Sequence, residues 1–145
     1  MSVISNIAYL IAGLLTGDPM FIIAMSCLAL GSAYSHKTGD WIYDWMGMYV
    51  ALGSLLLKPL PFVFALYAPI ISYMSYVFNF MSYVFLGVLW ASGWALTGFD
   101  SFIGVWFGVA LMIRQIGQVK HYELLHSVWH LMTAYGLYRM FYAIG

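Results

Sequence analysis

The sequence predicts an all-α membrane protein, a compact bundle of seven transmembrane helices with very short loops. The first observation is composition: 64% of the 145 residues are hydrophobic and only 7% are charged, whereas a soluble domain has about 25% charged residues. The second is that the few charged residues, glycines and prolines divide the chain into apolar segments of helical length. Because too little polar surface is left for a water-soluble domain, we expect an integral, multi-pass protein in a lipid bilayer.

Breaks in the apolar pattern define the first three spans. Gly-Asp-Pro at 17–19 separates span one from span two, and proline suits the first position of a helix. The polar loop 37–40 ends span two, and Lys58 with Pro59 ends span three. The first span has no positively charged segment before it and no cleavage site of small residues after it, which favours a retained helix over a signal peptide.

The segment 59–98 contains no charged residue. As one helix it would be about 60 Å long, twice a hydrocarbon core of roughly 30 Å, so we expect two spans with a turn near 75–80. Asp100 or Ser101 caps the following span, and a polar linker precedes the last one. The predicted spans, all within one domain at 1–145, are 3–16, 19–36, 41–57, 59–76, 79–97, 101–118 and 122–143.

Charge and cysteine content exclude two classes of protein. Five basic and five acidic residues cancel, and they form no basic patch, so we expect no nucleic-acid partner. Cys27 is the only cysteine, which excludes a disulfide framework. Protein partners are not predicted by any motif.

Most of the chemically versatile side chains lie at the ends of three spans. Ser32 and His36, four residues apart on one helix face, end span two, and Asp44 lies one turn into span three. His126 and His130, again four apart, lie in the first half of span seven. Because an even number of spans separates the loop after span two from the loop before span seven, we expect all five residues at similar depth beneath one membrane face.

Three imidazoles with an open fourth position for water form a ligand set typical of catalytic zinc. His36, His126 and His130 are therefore candidate ligands of Zn²⁺, since neutral imidazole suits zinc better than magnesium or calcium. Such an ion polarises a carbonyl and activates water near neutral pH. Asp44 is a candidate general base or an acceptor that fixes a histidine tautomer, and Ser32 can hydrogen-bond the water or an oxyanion.

Each of these residues also has a structural interpretation. Membrane histidines can bridge helices by hydrogen bonds, a serine can bond its own helix, and Asp44 can pair with Lys37 or cap span three. His121 lies about 140° round the helix from His126, so we expect it at the interface, with Glu123 at the surface. The convergence of the histidines on one side favours the metal site, because ionisable residues in membranes usually have a function.

These motifs resemble the CREST superfamily of seven-span membrane hydrolases, which includes alkaline ceramidases, progestin and adiponectin receptors, and hydrolases that remodel GPI lipids. The family pattern of Ser-x-x-x-His, Asp and His-x-x-x-His matches this chain in order and in span number. The matching segments are 5–6, 31–34, 44–49 and 126–130. The resemblance covers the whole chain in its order of spans and about 25 residues in motif, and 126–130 is its most specific segment.

The resemblance implies that His36, His126 and His130 bind zinc and that Ser32 and Asp44 assist at the active site. It implies hydrolysis of a membrane lipid, either at an amide bond as in ceramidases or at an acyl ester. Span one lacks the acidic cluster that supports calcium in alkaline ceramidases, so we expect no calcium site. The alternatives are a receptor-like protein with a structural metal, for which a soluble domain or a long tail would be expected, and an accessory subunit of a membrane complex.

Overall fold

A computed structural model describes residues 2–78 and 82–144, and within these ranges the structure is helical, with no β-strand. The all-α class predicted from the sequence is confirmed. The helices are α1 (Ser2–Ser5), α2 (Ile7–Thr16), α3 (Pro19–Thr38), α4 (Ile42–Leu56), α5 (Pro61–Val77), α6 (Ser82–Leu96), α7 (Ser101–Gly117) and α8 (Tyr122–Ala143). Only Asn6 separates α1 from α2, so the two helices together correspond to the first predicted span. Counted in this way, the described residues form seven main helices.

Several helix ends lie at the predicted breakers, although α3 continues past the predicted end at 36 to Thr38 and α5 begins at Pro61 rather than at 59. Gly17 ends α2 in the left-handed conformation at φ 68°, and the Asp18 carboxylate accepts from Phe21 N at 2.8 Å to cap α3. Asp100, rather than Ser101, caps α7 by accepting from Ile103 N at 2.9 Å. The turn predicted near 75–80 falls partly outside the described residues, and α5 continues through Val77.

Packing beyond sequence neighbours closes the helices into a bundle. Helix α3 packs on α2 and α4, α5 packs on α4, and α7 packs on α8. Contacts between distant parts of the chain join α8 to α1 and α2, and α6 to α4. At one end Lys58, after α4, donates to the carbonyls of Phe141 and Ile144 at 2.7 and 2.9 Å. The start of α8 lies at the other end, where the histidines are.

Gly47 lets α3 and α4 approach closely. A Cβ at this position would lie 2.7 Å from the Cα of Leu28, which no side chain tolerates. One turn from this contact, Ser32 lies on α3 and Asp44 on α4. The close approach therefore brings these two residues together.

Many large hydrophobic side chains lie on the outer surface of the bundle. Large hydrophobic side chains are strongly exposed, including Leu15, Leu30, Phe62, Leu66 and Val105. By length and composition, α3 is the one helix of the described residues that could cross a membrane, while α5, α6 and α7 are shorter apolar helices.

Candidate metal centre

The structure brings the three predicted metal ligands together from two helices. His36 lies in the last turns of α3, and His126 and His130 lie one turn apart on α8. Their ring centroids are 4.7 to 5.0 Å apart. One nitrogen of each ring lies within 4.8 Å of the others, close enough to bind one metal ion.

The spacing of the ring nitrogens of His36 and His130 matches that of two ligands of a tetrahedral metal ion. Nε2 of His36 and Nε2 of His130 are 3.3 Å apart. Two nitrogens bound to tetrahedral zinc at about 2.0–2.1 Å lie about 3.3–3.4 Å from each other. The pair therefore has the separation that a zinc ion requires.

His126 separates the metal interpretation from simple helix bridging. A hydrogen bond between His36 and His130 would also explain their 3.3 Å distance. His126, however, is buried, and neither Nδ1 nor Nε2 has a hydrogen-bond partner among the described residues. An unpaired buried polar group costs about 1–3 kcal/mol, and a cation bound by the three rings would supply the partner that His126 lacks.

Ser5, which the sequence analysis did not single out as a site residue, contacts this cluster directly. Its Oγ lies 2.7 Å from Nδ1 of His130, on the side of the ring away from His36. Ser5 lies in α1, and the carboxylate of Glu123 also binds this helix. Its Oε2 accepts from both N and Oγ of Ser2. Glu123 is exposed, as expected, but it also anchors α1 to α8.

Ser32 and Asp44 lie beside the cluster and not among its ligand atoms. The Asp44 carboxylate faces the Ser32 hydroxyl, which is fully buried and has no hydrogen bond of good geometry. Ser35, another residue that the sequence analysis missed, accepts from Asp44 N at 2.8 Å and fixes the start of α4 against α3. Asp44 forms no ion pair with Lys37 and does not cap α4, whose preceding residue is Trp41.

Aromatic rings surround the histidines. Trp41 packs edge-on against His36 at 5.0 Å, Tyr122 stacks on His126 at 4.9 Å, and the buried Tyr9 lies 5.6 Å from His130. These rings pack around the imidazoles, while His36 remains half-buried. His121, exposed at the start of α8, lies outside the cluster, as expected.

A cavity of about 440 Å³ begins next to these residues. Its wall is mostly apolar and is formed by α4, α6, α7 and α8, and Asp44 and Arg114 are its charged lining residues. Trp90 and Trp94 of α6 also line it, and the Trp90 ring packs edge-on against Phe107 of α7 at 4.1 Å. Tyr9 lines the cavity and also packs on His130, so it joins the cavity to the histidine cluster.

Trp129 lies outside the metal-binding group. It lines the cavity, where the Arg114 guanidinium lies 5.8 Å from its ring. The role of Trp129 is therefore packing rather than metal binding.

Comparison with protein-family models, with curated proteins and with solved structures finds no match to this chain.

Proposed function

We propose that the chain is a multi-pass membrane protein and a zinc-dependent lipid hydrolase of the CREST type. The observation that carries the proposal is the cluster of His36, His126 and His130 beside a mostly apolar cavity with Asp44 in its wall. Three imidazole donors and the 3.3 Å nitrogen spacing suit a catalytic zinc ion with an open fourth position.

The apolar outer surface of the bundle supports the membrane location. Large apolar side chains cover the outside of the bundle while Asn6, Ser32, His126 and His130 are buried inside it, and a water-soluble monomer rarely exposes apolar patches beyond a few hundred Å². Helices α4 to α7 each have 15 to 17 residues. At 1.5 Å per residue they are somewhat shorter than a roughly 30 Å core, so we expect local thinning of the bilayer.

The cavity fits a lipid acyl chain whose carbonyl group lies at the polar end. A volume of about 440 Å³ is within the range of small-molecule sites, which is roughly 300–1,000 Å³. Its apolar wall suits the chain, while Asp44, Tyr9 and Arg114 lie where an amide or ester group would be held. Substrate would enter from the bilayer.

Hydrolysis adds water across the C–N bond of an amide or the C–O bond of an ester. A bound zinc ion would supply a Lewis acid that polarises the carbonyl and makes water nucleophilic. Asp44 accepts the proton of the attacking water and returns it to the leaving amine or alcohol. The Ser32 hydroxyl, which is buried beside the Asp44 carboxylate, donates to the oxygen on which negative charge develops.

The test is release of fatty acid from ceramides and phospholipids by the purified protein in detergent, followed by mass spectrometry. We expect hydrolysis by the wild type and by His121→Ala, whose histidine is exposed outside the cluster. We expect none from His126→Ala/His130→Ala. A wild type that binds metal but hydrolyses none of these lipids would instead support the receptor-like or accessory-subunit alternative, in which the metal is structural.

A further inference from the structure

The hydroxyl of Ser5 determines which nitrogen of His130 carries a proton. Ser5 Oγ lies 2.9 Å from the carbonyl oxygen of Ser2 and 2.7 Å from Nδ1 of His130. A hydroxyl has one proton, and a carbonyl oxygen can only accept. The proton is therefore donated to Ser2, and Ser5 Oγ accepts from Nδ1–H of His130.

This tautomer places the lone pair of His130 on Nε2. Nε2 is the atom that faces Nε2 of His36 at 3.3 Å. A histidine ligand usually donates its second N–H to an acceptor that fixes its orientation. Ser5 supplies that acceptor to His130.

The position of Ser5 is itself fixed at two points. Asn6 Nδ2 donates to the carbonyl of Ser2 at 2.8 Å, and both residues are almost fully buried. Ser2 N and Oγ donate to one oxygen of Glu123 at 3.0 and 2.9 Å. Glu123 and His130 are two turns apart on α8, so α1 is bonded to the same face of this helix at both places.

We propose that Ser5 is a positioning residue of the metal centre and that Glu123 acts through it by anchoring α1. A hydrogen-bonded path runs from the Glu123 carboxylate through Ser2 and the Ser5 hydroxyl to Nδ1–H of His130. This inference rests on the proposed metal centre and adds the element that orients one of its ligands.

The first experiment measures Zn²⁺ affinity of the full chain in detergent by competition with a chelator, and the visible spectrum of the Co²⁺-substituted protein. Ser5→Ala should weaken Zn²⁺ binding about 10- to 100-fold and change the Co²⁺ spectrum, because loss of such a partner has effects of this size. Ser5→Thr keeps the hydroxyl and should restore both properties. Ser54→Ala is the matched control, since Ser54 is buried and bonds only the carbonyl of Ala51 in its own helix.

The second experiment tests the anchor with a double-mutant cycle. Glu123→Ala should weaken Zn²⁺ binding less than Ser5→Ala, because Asn6 still holds Ser2. The double variant should bind no more weakly than Ser5→Ala alone, since both residues act through one path. Glu123 is exposed, so its replacement tests the path even where Ser5→Ala has lost helix content.

The outcomes separate this inference from the proposed function. If the wild type binds no metal, the metal centre and the role of Ser5 are both wrong. If the wild type binds Zn²⁺ and folded Ser5→Ala binds it equally tightly, only the role of Ser5 is wrong. Additive effects of Ser5→Ala and Glu123→Ala would overturn the anchoring role of Glu123.

Discussion

At one end of the bundle the Lys58 ammonium group donates to two carbonyls of the α8 terminus and lies 3.9 Å above the ring of Phe141. At the other end both ring nitrogens of His126 are buried, and neither has a hydrogen-bond partner among the described residues. The first end uses its polar group to close the bundle. The second end holds polar groups that the fold itself does not satisfy, and such groups are expected where a ligand binds.

The same contrast exists within the histidine end. Ser5 and Ser35 are engaged, one with His130 and the other with the backbone of Asp44. The two ring nitrogens of His126 have no partner among the described residues, whereas Ser32 lies against the Asp44 carboxylate. The hydrogen bonds of Ser5 and Ser35 fix the geometry of the site. The unpaired nitrogens of His126 face the proposed metal.

The largest effect should come from Asp44→Asn, which keeps the shape of the side chain and removes its basicity. We expect the rate of lipid hydrolysis to fall about 100- to 10,000-fold, the usual contribution of a general base. Metal content should not change, because Asp44 is not among the grouped ligand atoms. Comparing fatty-acid release with zinc content in the same preparation measures both, and an unchanged rate would remove Asp44 from the mechanism.

A smaller effect is expected from Gly47→Ala, which tests how the packing of α3 on α4 holds Ser32 near Asp44. The new methyl group would lie 2.7 Å from the Leu28 backbone, so the helices must separate. We expect a loss of about 1–3 kcal/mol in unfolding free energy and slower hydrolysis. Thermal unfolding followed by circular dichroism measures the first effect.

Gly108→Ala is the matched control for Gly47→Ala. Gly108 also lies within a helix, but a Cβ there meets no atom within 4 Å. Alanine should therefore stabilise α7 slightly, by about 0.5–1 kcal/mol. Equal stability of the two variants would show that the contact of Gly47 with Leu28 is not needed.

The smallest effect is expected from Lys58→Met, which removes the ammonium group at the closed end and keeps the apolar stem. Loss of two hydrogen bonds from a charged donor, partly replaced by water, should cost about 1 kcal/mol of unfolding free energy. Zinc content and hydrolysis should stay the same. Lys120→Met, at an exposed lysine, is the control, and loss of metal from Lys58→Met would contradict the division between the two ends.

Local sequence signals predicted much of the fold because they act over a few residues. Gly17 and Asp18 ended one helix and capped the next, and Asp100 capped α7. The convergence of His36 with His126 and His130 followed from counting helices, which needs only the order of the elements. Here the prediction required no knowledge of side-chain contacts.

Tertiary contacts could not be predicted in the same way. The bond of Ser5 to His130 joins residues 125 positions apart, and that of Lys58 to Phe141 joins residues 83 apart. Nothing in the neighbouring sequence distinguishes Ser35 from a serine that bonds its own helix, such as Ser26. Ser5 lies in the matching segment 5–6, but that resemblance did not indicate a contact with His130. The break at Asn6 within the first predicted span has no proline or glycine to signal it.

The most direct measurement is the metal content of the detergent-purified protein by elemental analysis, with His126→Ala/His130→Ala and His121→Ala prepared in parallel. The three-histidine centre predicts about one zinc ion per chain in the wild type and in His121→Ala, and none in the double variant. A well-folded wild type without metal, or equal zinc in all three proteins, would contradict the centre and the hydrolase proposed from it.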